Sequence, residues 1–513
     1  MKAVQQQVMK RLDDLVLARE AFDEVVARTR RARESRTAKK AMASTAAVDP
    51  QESLLSFMVA QSLGRELDQP RPAVFKDASG GLLRVVHREI VVRFRKGTPP
   101  AVQQRILAEA GFEERSRSAF APLQLIVIDK AKRRYGADLF GVVERWRKVE
   151  EVVFATPNFV SEYKKRAVKT GVPRPEQWHL GLVHAEQAWA VTGSSGRGRG
   201  IVVAVIDDGV DVDHPALVGR IAAGGRDFFL RDKDPGFKDP RPKVFEAPYD
   251  ITDTNDIHGT CCAGVVAAGG LHGVFGVAPL AKVLPIKIFH GKQLAQDARV
   301  ADAIRYAALH ADILSCSWDA PNSDDVRLAL EDAGLGRGGK GAAIFCATGN
   351  ESAQRIGFPA KSRHVIAVGA STDTEAHASY SNSGPEISVV APSSGGTREI
   401  FTTDISKKAR GYNHGDNAKG GKSGLYANDF GGTSSATPLA AGIGALVLAH
   451  NPALARADLK QLLEATATKI AGQTGHTNHL GHGRVDALAA VSRAVVAAPK
   501  KTPKKKKKKK KKS

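Results

Sequence analysis

Cysteine and long apolar runs are scarce in this 513-residue chain. Its four cysteines cannot form a disulfide framework, and two of them, Cys261 and Cys262, are neighbours that would pair only with strain. The longest apolar stretch, residues 438–449, is shorter than the ~18 residues that a membrane-spanning helix needs. The sequence therefore excludes disulfide-stapled and membrane-spanning classes and favours a reducing compartment.

A conventional export signal is not visible either. Charged residues interrupt every apolar run near the N-terminus, so that no hydrophobic segment of a secretory signal can be drawn there. We expect a cytoplasmic protein, with a non-standard export route as the alternative.

Acidic residues are outnumbered, 54 against 76 lysines and arginines, which gives a net charge of +22. Lysines at 500–501 and 504–512 supply half of this excess. A lysine run repels itself and buries nothing, so it predicts a disordered tail. Its function would be attachment to nucleic acid or another polyanionic surface; the alternative is a solvated tail without a partner.

Composition and periodicity divide the chain into five parts. We expect a basic extension over 1–83, helical up to about residue 45, then a small domain over 84–163, a linker over 164–177, a large domain over 178–498 and a tail over 499–513. The small domain has the predicted order β-α-β-α-β, which is typical of an α+β, ferredoxin-like unit. Its predicted elements are strands at 85–94, 124–129 and 152–155 and helices at 99–110 and 138–148.

In the large domain, short β-branched runs alternate with helical stretches. These runs lie at 201–206, 283–288, 313–316, 342–347 and 364–368. Continuous apolar strands of this kind predict a parallel sheet that is covered by helices on both faces. Catalytic groups in such sheets gather at the carboxyl ends of the strands.

Polar motifs stand at the boundaries of these elements. Asp207 ends an apolar strand, His258 begins a helical run, and Ser434 lies in a Gly-Thr-Ser-Ser sequence before an apolar helix. Each alone could be a strand end or a helix cap, but together they supply the orienting acid, base and nucleophile of acyl transfer. Asn350 follows a further strand, and its carboxamide could donate a hydrogen bond to an oxyanion or could simply occupy a turn.

These motifs resemble those of subtilisin-like serine peptidases, in that family's order of Asp, His, Asn and Ser. They are Asp-Asp-Gly at 207–209, His-Gly-Thr at 258–260, Gly-Asn at 349–350 and Gly-Thr-Ser-Ser-Ala-Thr-Pro at 432–438. The resemblance implies a three-layer α/β/α sandwich with a mostly parallel central sheet. It also implies that Asp207, His258 and Ser434 are catalytic, in preference to Asp208, Ser435 and His214, and that Asn350 belongs to the oxyanion hole.

Three further features resemble the kexin-like branch, whose members cleave after basic residues. They are the Asp-Asp-Gly acid motif, Cys262 beyond the histidine and the pair Ser317-Trp318. Residues 315–319 would line the S1 pocket by this resemblance, which makes Ser317, Trp318 and Asp319 substrate-binding candidates. Asp319 stands where a glycine is usual, and it could supply negative charge together with Asp324, Asp325 and Glu351; the alternative is that these are solvated loop carboxylates.

The small domain resembles the inhibitory prodomain of such enzymes, which the enzyme itself cuts off. Lys164-Lys165-Arg166 follows it, so we hypothesise autoprocessing in the linker, with an ordinary basic linker as the alternative. Catalysis would need no cofactor. The resemblance also suggests a structural Ca²⁺ ion, for which the aspartates of the insertion 226–256 offer hard oxygen ligands without EF-hand spacing; the alternative is a solvated acidic loop.

The sequence thus predicts a serine endopeptidase made as a zymogen, with polypeptide substrates and its own prodomain as partners. The alternative is a catalytically silent protein with the same fold, recruited to nucleic acid or anionic surfaces by its basic tail.

Overall fold

The computed structural model describes residues 15–17, 73–77, 83–161, 164–165 and 177–494, except positions 132, 135, 137, 194–195, 245–254, 292–294, 407–410 and 413–423. The predicted tail and most of the predicted extension lie outside these residues. Where the extension is described, the predicted helix is wrong: Leu15–Leu17 form a strand, β1, which pairs antiparallel with β2 (Ala73–Asp77). Pairing with the backbone of a strand edge outweighs the helical pattern at this short Leu-Val-Leu run.

The N-terminal α+β domain follows, and residues 83–161 contribute four strands to its sheet, one more than predicted. Its elements are β3 (Leu83–Phe94), α1 (Pro100–Glu109), β4 (Phe112–Arg117), β5 (Gln124–Asp129), α2 (Asp138–Trp146) and β6 (Val152–Ser161). The order β-α-β-β-α-β is that of a ferredoxin-like unit. The missed strand, β4, is largely exposed and rich in charged residues, since it lies at the edge of the sheet.

The second domain is built on a parallel sheet of seven strands. They are β8 (Val202–Asp207), β9 (Arg226–Asp227), β10 (Lys282–Lys287), β12 (Ile313–Cys316), β14 (Ala343–Ala347), β15 (Ile366–Ser371) and β16 (Ile387–Pro392). Their order across the sheet is β16-β15-β14-β12-β8-β10-β9. The order places β8 between β12 and β10, so the residue that ends β8 lies near the middle of the sheet edge.

Helices cover both faces of this sheet. One face carries α3 (Trp178–Leu182), α4 (Ala185–Thr192), α5 (His258–Ala267), α8 (Gly432–His450), α9 (Arg456–Thr466) and α10 (Ala487–Arg493), and the other carries α6 (Asp297–His310) and α7 (Asp324–Asp332). Within β8, Val203 and Val205 pack into the first core, whereas Ala204 and Ile206 pack into the second. The predicted three-layer α/β/α sandwich is therefore confirmed.

Helix α8 combines length with low polarity. In the described part of the chain it is the one helix long and apolar enough to cross a membrane, and 94% of its apolar window is buried inside the protein. Its first seventeen residues, Gly432 to Leu448, are all buried, because it runs through the core of the first face. Here the apolar composition follows from burial on all sides.

The two domains contact each other through backbone and side chains. Strand β11 (Ala295–Gln296) of the second domain extends the N-terminal sheet by pairing with β6, and β7 (Lys164–Lys165) pairs with β13 (Trp318–Asp319). Three pairs of side chains join the N-terminal domain to α6 and α7 by hydrogen bonds: Ser118 to Asp302 at 2.6 Å, Gln124 to Asp325 at 3.0 Å, and Arg93 to Asp332 at 3.0 and 3.4 Å.

Candidate active site

The acid and the histidine predicted from the motifs meet at the carboxyl end of β8. Nδ1 of His258 lies 2.9 Å from Oδ1 and 3.0 Å from Oδ2 of Asp207, and both side chains are buried. Because carboxylate oxygens only accept hydrogen bonds, Nδ1 must carry the hydrogen. The other ring nitrogen, Nε2, is buried without a hydrogen-bond partner, so in the neutral ring its lone pair is available as a base.

Asp208 has a different task from its neighbour. Its carboxylate accepts the backbone N–H groups of His258 at 3.0 Å and Gly259 at 2.7 Å, and so satisfies two donors at the start of α5. Asp207 holds the ring and Asp208 holds the backbone of the same histidine. The approach is close: a Cβ on Gly259 would lie 2.2 Å from the carbonyl oxygen of Gly209, so only glycine fits here.

The environment favours the charged form of the histidine. Burial lowers the pKa of His258, but Asp207 and Cys262 together raise it by more through their charges and hydrogen bonds, and the pKa lies well above its usual 6.5. Burial raises the pKa of Asp207, and the charge of His258 and its hydrogen bond oppose that rise. A buried carboxylate that stabilises an imidazolium suits a general base, which must hold a proton during the reaction.

Ser434 lies in the first turn of α8, beside this pair. Its carbonyl oxygen accepts from the Ser317 hydroxyl at 3.1 Å and lies 3.7 Å from Sγ of Cys262. Cys262 Sγ is also 3.7 Å from Nδ1 of His258, so the thiol bridges the two. The next hydroxyl, that of Ser435, lies 2.8 Å from Oγ of Ser393 in the interior.

Asn350 comes directly after β14 and faces the start of α8. Its Oδ1 accepts from the backbone N–H of Thr433 at 2.9 Å and from the Thr433 hydroxyl at 2.8 Å. With Oδ1 engaged in this way, Nδ2 is left as a buried donor without a partner. Gly432 permits the approach, because a Cβ there would lie 2.7 Å from Nδ2. Sequence analysis did not identify Thr433 as the residue that orients the Asn350 amide, although its position directly before Ser434 was a signal.

Comparison with known proteins agrees with this geometry. Residues 198–483 match the model of the subtilase family, Peptidase_S8. This chain belongs to the subtilase family. The resemblance expected from the motifs is thereby confirmed.

Relatives of this subtilase include kexins as well as bacterial proteases. A calcium-dependent protease of Nostoc sp. is 32% identical over 461 residues, which cover 81% of this chain and 65% of that protein. Kexin of Candida albicans is 31% identical over 359 residues, 63% of this chain and 34% of that protein. The structure of fervidolysin from Fervidobacterium pennivorans, described as a keratinolytic enzyme related to subtilisin, shares the fold with a TM-score of 0.62 at 23% identity, over 80% of this chain and 61% of that chain. The subtilase thus spans about two thirds or less of the length of these proteins.

The expected substrate-binding residues of the subtilase lie along β12 and β13. Trp318 is fully buried and donates from Nε1 to the carbonyl oxygen of Ile206 at 2.8 Å, so its side chain anchors the strand and only its backbone can face a substrate. Asp319 directs its carboxylate towards Gly357, where a Cβ would lie 2.7 Å from Oδ2. The backbone of β13 is paired by Lys164 and Lys165 of the linker.

The other carboxylates considered for the S1 pocket have other contacts. Asp324 accepts from Arg327 of the same helix at 3.4 Å. Asp325 accepts from Gln124 of the N-terminal domain and from Arg305 at 3.2 Å, and burial raises its pKa to about 7. Glu351 accepts from the Asn382 amide at 2.9 Å. Asp319 is therefore the member of this group that lies on the strand paired with the linker.

His214 is placed structurally, as expected. Its Nε2 lies 2.8 Å from the carbonyl oxygen of Leu425, and its Nδ1 accepts from the backbone of Ala216 at 3.1 Å. Both ring nitrogens are occupied, so His214 offers no free base.

The described residues show no cluster of acidic side chains that would hold a calcium ion. Among them, the one group of three or more His, Cys, Asp or Glu donors within reach of a single ion is Asp207, His258 and Cys262, and Ca²⁺ prefers oxygen ligands. The insertion between acid and base uses its described aspartates otherwise. Four of the five pair with cationic or imidazole side chains: Asp227 with His290, Asp234 with Arg231, Asp239 with Arg241 and Asp256 with Lys287. Asp250 and Asp253 lie outside the described residues.

Proposed function

We propose that this subtilase is a serine endopeptidase that hydrolyses peptide bonds in polypeptides through an acyl-enzyme. The observation that carries the proposal is the buried pair of Asp207 and His258, whose Nε2 has no hydrogen-bond partner, with Cys262 in contact with both His258 and the backbone carbonyl of Ser434. Family membership and the protease names of its relatives support it.

In this mechanism, Nε2 of His258 takes the proton of the Ser434 hydroxyl as its oxygen attacks the substrate carbonyl carbon. Asp207 holds the ring by Nδ1 and stabilises the imidazolium. The oxyanion accepts from Nδ2 of Asn350 and from the backbone N–H of Ser434. His258 then gives its proton to the leaving amine, and water, activated by the same nitrogen, releases the acyl group.

The test is covalent labelling of the full chain with a fluorophosphonate probe, together with turnover of a fluorogenic peptide. Wild type is expected to be labelled once, at Ser434, and Ser434→Ala to lose both labelling and about 10⁶ in turnover, a figure established within this family. Ser435→Ala is the matched control and keeps its label. Labelling that persists in Ser434→Ala would refute the assignment.

We further propose that the N-terminal domain is an inhibitory prodomain and that the enzyme cuts after Arg166. The described part of the linker supports a cut in this segment, because Lys165 pairs with Trp318 and Lys164 with Asp319, directly after Ser317 in the sequence. Ser317 donates to the backbone carbonyl of Ser434, so the strand that the linker pairs with adjoins the residue that we propose as the nucleophile. Basic residues before the cut suggest a preference for basic substrates, with Asp319 contributing negative charge.

Intact-mass analysis tests the processing. Wild type is expected to give a fragment beginning at residue 167, whereas Ser434→Ala and Arg166→Ala stay whole. Lys169→Ala, which changes another basic residue of the linker, should be cut normally. A wild-type chain without a cut between 163 and 178, or equal cutting of Arg166→Ala, would overturn the proposal.

Catalysis in this proposal uses no metal. A structural Ca²⁺ ion enters the proposal because the Nostoc relative is a calcium-dependent protease. The expected result is a higher Tm of the Ser434→Ala chain in excess Ca²⁺ than in chelator; an unchanged Tm would remove the ion from the proposal.

A further inference from the structure

An ion pair in the interior connects the two chain segments that carry the acid and the base. Lys287 and Asp256 are both 0% exposed, and Nζ lies 2.5 Å from Oδ2. Asp256 comes two residues before His258, and Lys287 ends β10, where it is the register partner of Asp207 in β8. The pair therefore lies beside the reactive groups along the chain and across the sheet.

Asp256 gathers three separate segments around its carboxylate. Oδ2 also accepts from the backbone N–H of Lys243 at 2.8 Å, and Oδ1 accepts from the backbone N–H of Gly291 at 2.6 Å. The backbone N–H of Asp256 donates in turn to the carbonyl of Lys243 at 3.0 Å. The position of the residue that leads into His258 is thus set by side-chain and backbone contacts together.

Lys287 reaches the other side of the site through a second hydrogen bond. Its Nζ donates to the carbonyl oxygen of Arg241 at 3.1 Å. The preceding residue, Pro240, accepts at its carbonyl the backbone N–H of Val210 at 3.0 Å, and Val210 directly follows the Asp-Asp-Gly turn of the acid. One ammonium group therefore ties the segment packed against the acid turn to the segment that precedes the base.

We propose that Asp256 and Lys287 are positioning residues, which fix the backbone entering His258 so that its ring meets Asp207 and stays beside Ser434. This inference rests on the proposed function. Asp208 already holds the backbone of His258 from the far side, at the N–H groups of His258 and Gly259. The ion pair is the second anchor, and a displacement of about 1 Å in such a site can cost ~10²-fold in rate.

The buried environment makes the two residues act as one unit. An ion without its partner is strongly disfavoured in a low-dielectric interior, so either single neutral variant should strain or open the segment. A double neutral variant removes the unpaired charge and should restore folding. It cannot restore the clamp, because methionine at 287 cannot donate to Arg241 and an asparagine at 256 has one accepting oxygen in place of two.

The experiment measures kcat and KM of Asp256→Asn, Lys287→Met and the double variant on a fluorogenic peptide, per probe-titrated active site, with Tm alongside. We expect kcat to fall at least about 10-fold in all three, KM to stay within about 2-fold, and Tm to recover in the double variant while kcat does not. A role in stability alone would return kcat together with Tm.

A matched control lies at the opposite end of the strands. Asp312 accepts from Nε of Arg337 at 3.1 Å and from the backbone N–H of Val202 at 3.0 Å, so Asp312→Asn also removes a charge from an arginine pair. It should lower Tm and leave kcat unchanged. If Asp256→Asn keeps kcat within 2-fold of an active wild type, or falls no further than Asp312→Asn, the positioning role is overturned and the proposed function stands. An inactive wild type would overturn both.

Discussion

Replacing Asn350 by alanine should slow turnover without weakening substrate binding. In the proposed mechanism, Nδ2 of Asn350 donates to an oxygen that becomes negative only in the transition state, so its loss raises the barrier but leaves the ground state nearly unchanged. Removing one such donor costs about 10²–10³ in kcat, a size established for this position in a subtilase. We expect this loss in Asn350→Ala with KM within about 3-fold.

The contacts of the amide allow a second, smaller perturbation. Thr433→Val removes the hydroxyl bond to Oδ1 but keeps the bond from the Thr433 backbone. One neutral hydrogen bond contributes about 0.5–1.5 kcal/mol. Its loss leaves Nδ2 of Asn350 less firmly oriented, which should lower kcat by roughly 2- to 10-fold. In the Asn350→Ala background the same change should have almost no effect, because no amide remains to orient.

The assay is steady-state cleavage of a fluorogenic peptide by the four members of this double-mutant cycle, normalised to active sites. Asn451→Ala serves as control, since Asn451 is a buried asparagine at the far end of α8 whose Oδ1 accepts a backbone N–H. A loss below 10-fold in Asn350→Ala would refute the donor role. Equal effects of Thr433→Val in both backgrounds would refute the orienting role.

Two further predictions concern stability and are measured on the Ser434→Ala chain, which cannot digest itself. Burial raises the pKa of Asp325 to about 7 from its ordinary 3.8, so between these values the folded state binds a proton that the unfolded state releases. The free energy of unfolding should therefore fall as pH rises from 4 to 7, by at most about 1.4 kcal/mol per pH unit. Denaturant titrations should show a flatter pH dependence in Asp325→Asn, and an unchanged slope would contradict the assignment. Gly259→Ala should lower Tm, because its Cβ would meet a backbone oxygen that cannot move aside, and in the chain that keeps Ser434 it should also stop probe labelling. Gly181→Ala, whose Cβ would have no atom within 4 Å, should change neither Tm nor labelling. Normal labelling of Gly259→Ala would show that the start of α5 can shift.

Much of the fold could be predicted because buried strands carry their own pattern. The β-branched runs that form β8 and β12 are apolar on both faces, because these strands lie between two layers of helices and are buried on both sides. β4 was missed because an edge strand that faces solvent on most of its length is charged like a loop. β7 could not be predicted, since two lysines become a strand only where β13 presents an unpaired edge.

The candidate site divides in the same way. Asp207, His258, Asn350 and Ser434 were predicted from motifs at element ends, and the structure brings the acid to the histidine and the amide to the start of α8. The tasks of Asp208 and Thr433 depend on which backbone N–H or carbonyl lies opposite, and no local pattern encodes that. The clamp formed by residues 256 and 287 joins positions on different strands and loops, so it too becomes visible only in three dimensions.

Strand β13, beside the candidate active site, is already paired with the linker strand β7. Its backbone is already paired with Lys164 and Lys165, so in the proposed function an incoming polypeptide must compete with a segment of the same chain, whose local concentration does not fall on dilution. A small phosphonylating reagent needs no such strand and can reach the serine without displacing it. The unprocessed protein should therefore react with small phosphonylating reagents but cleave proteins very slowly. The ratio of these two rates would measure how strongly the linker strand binds to β13.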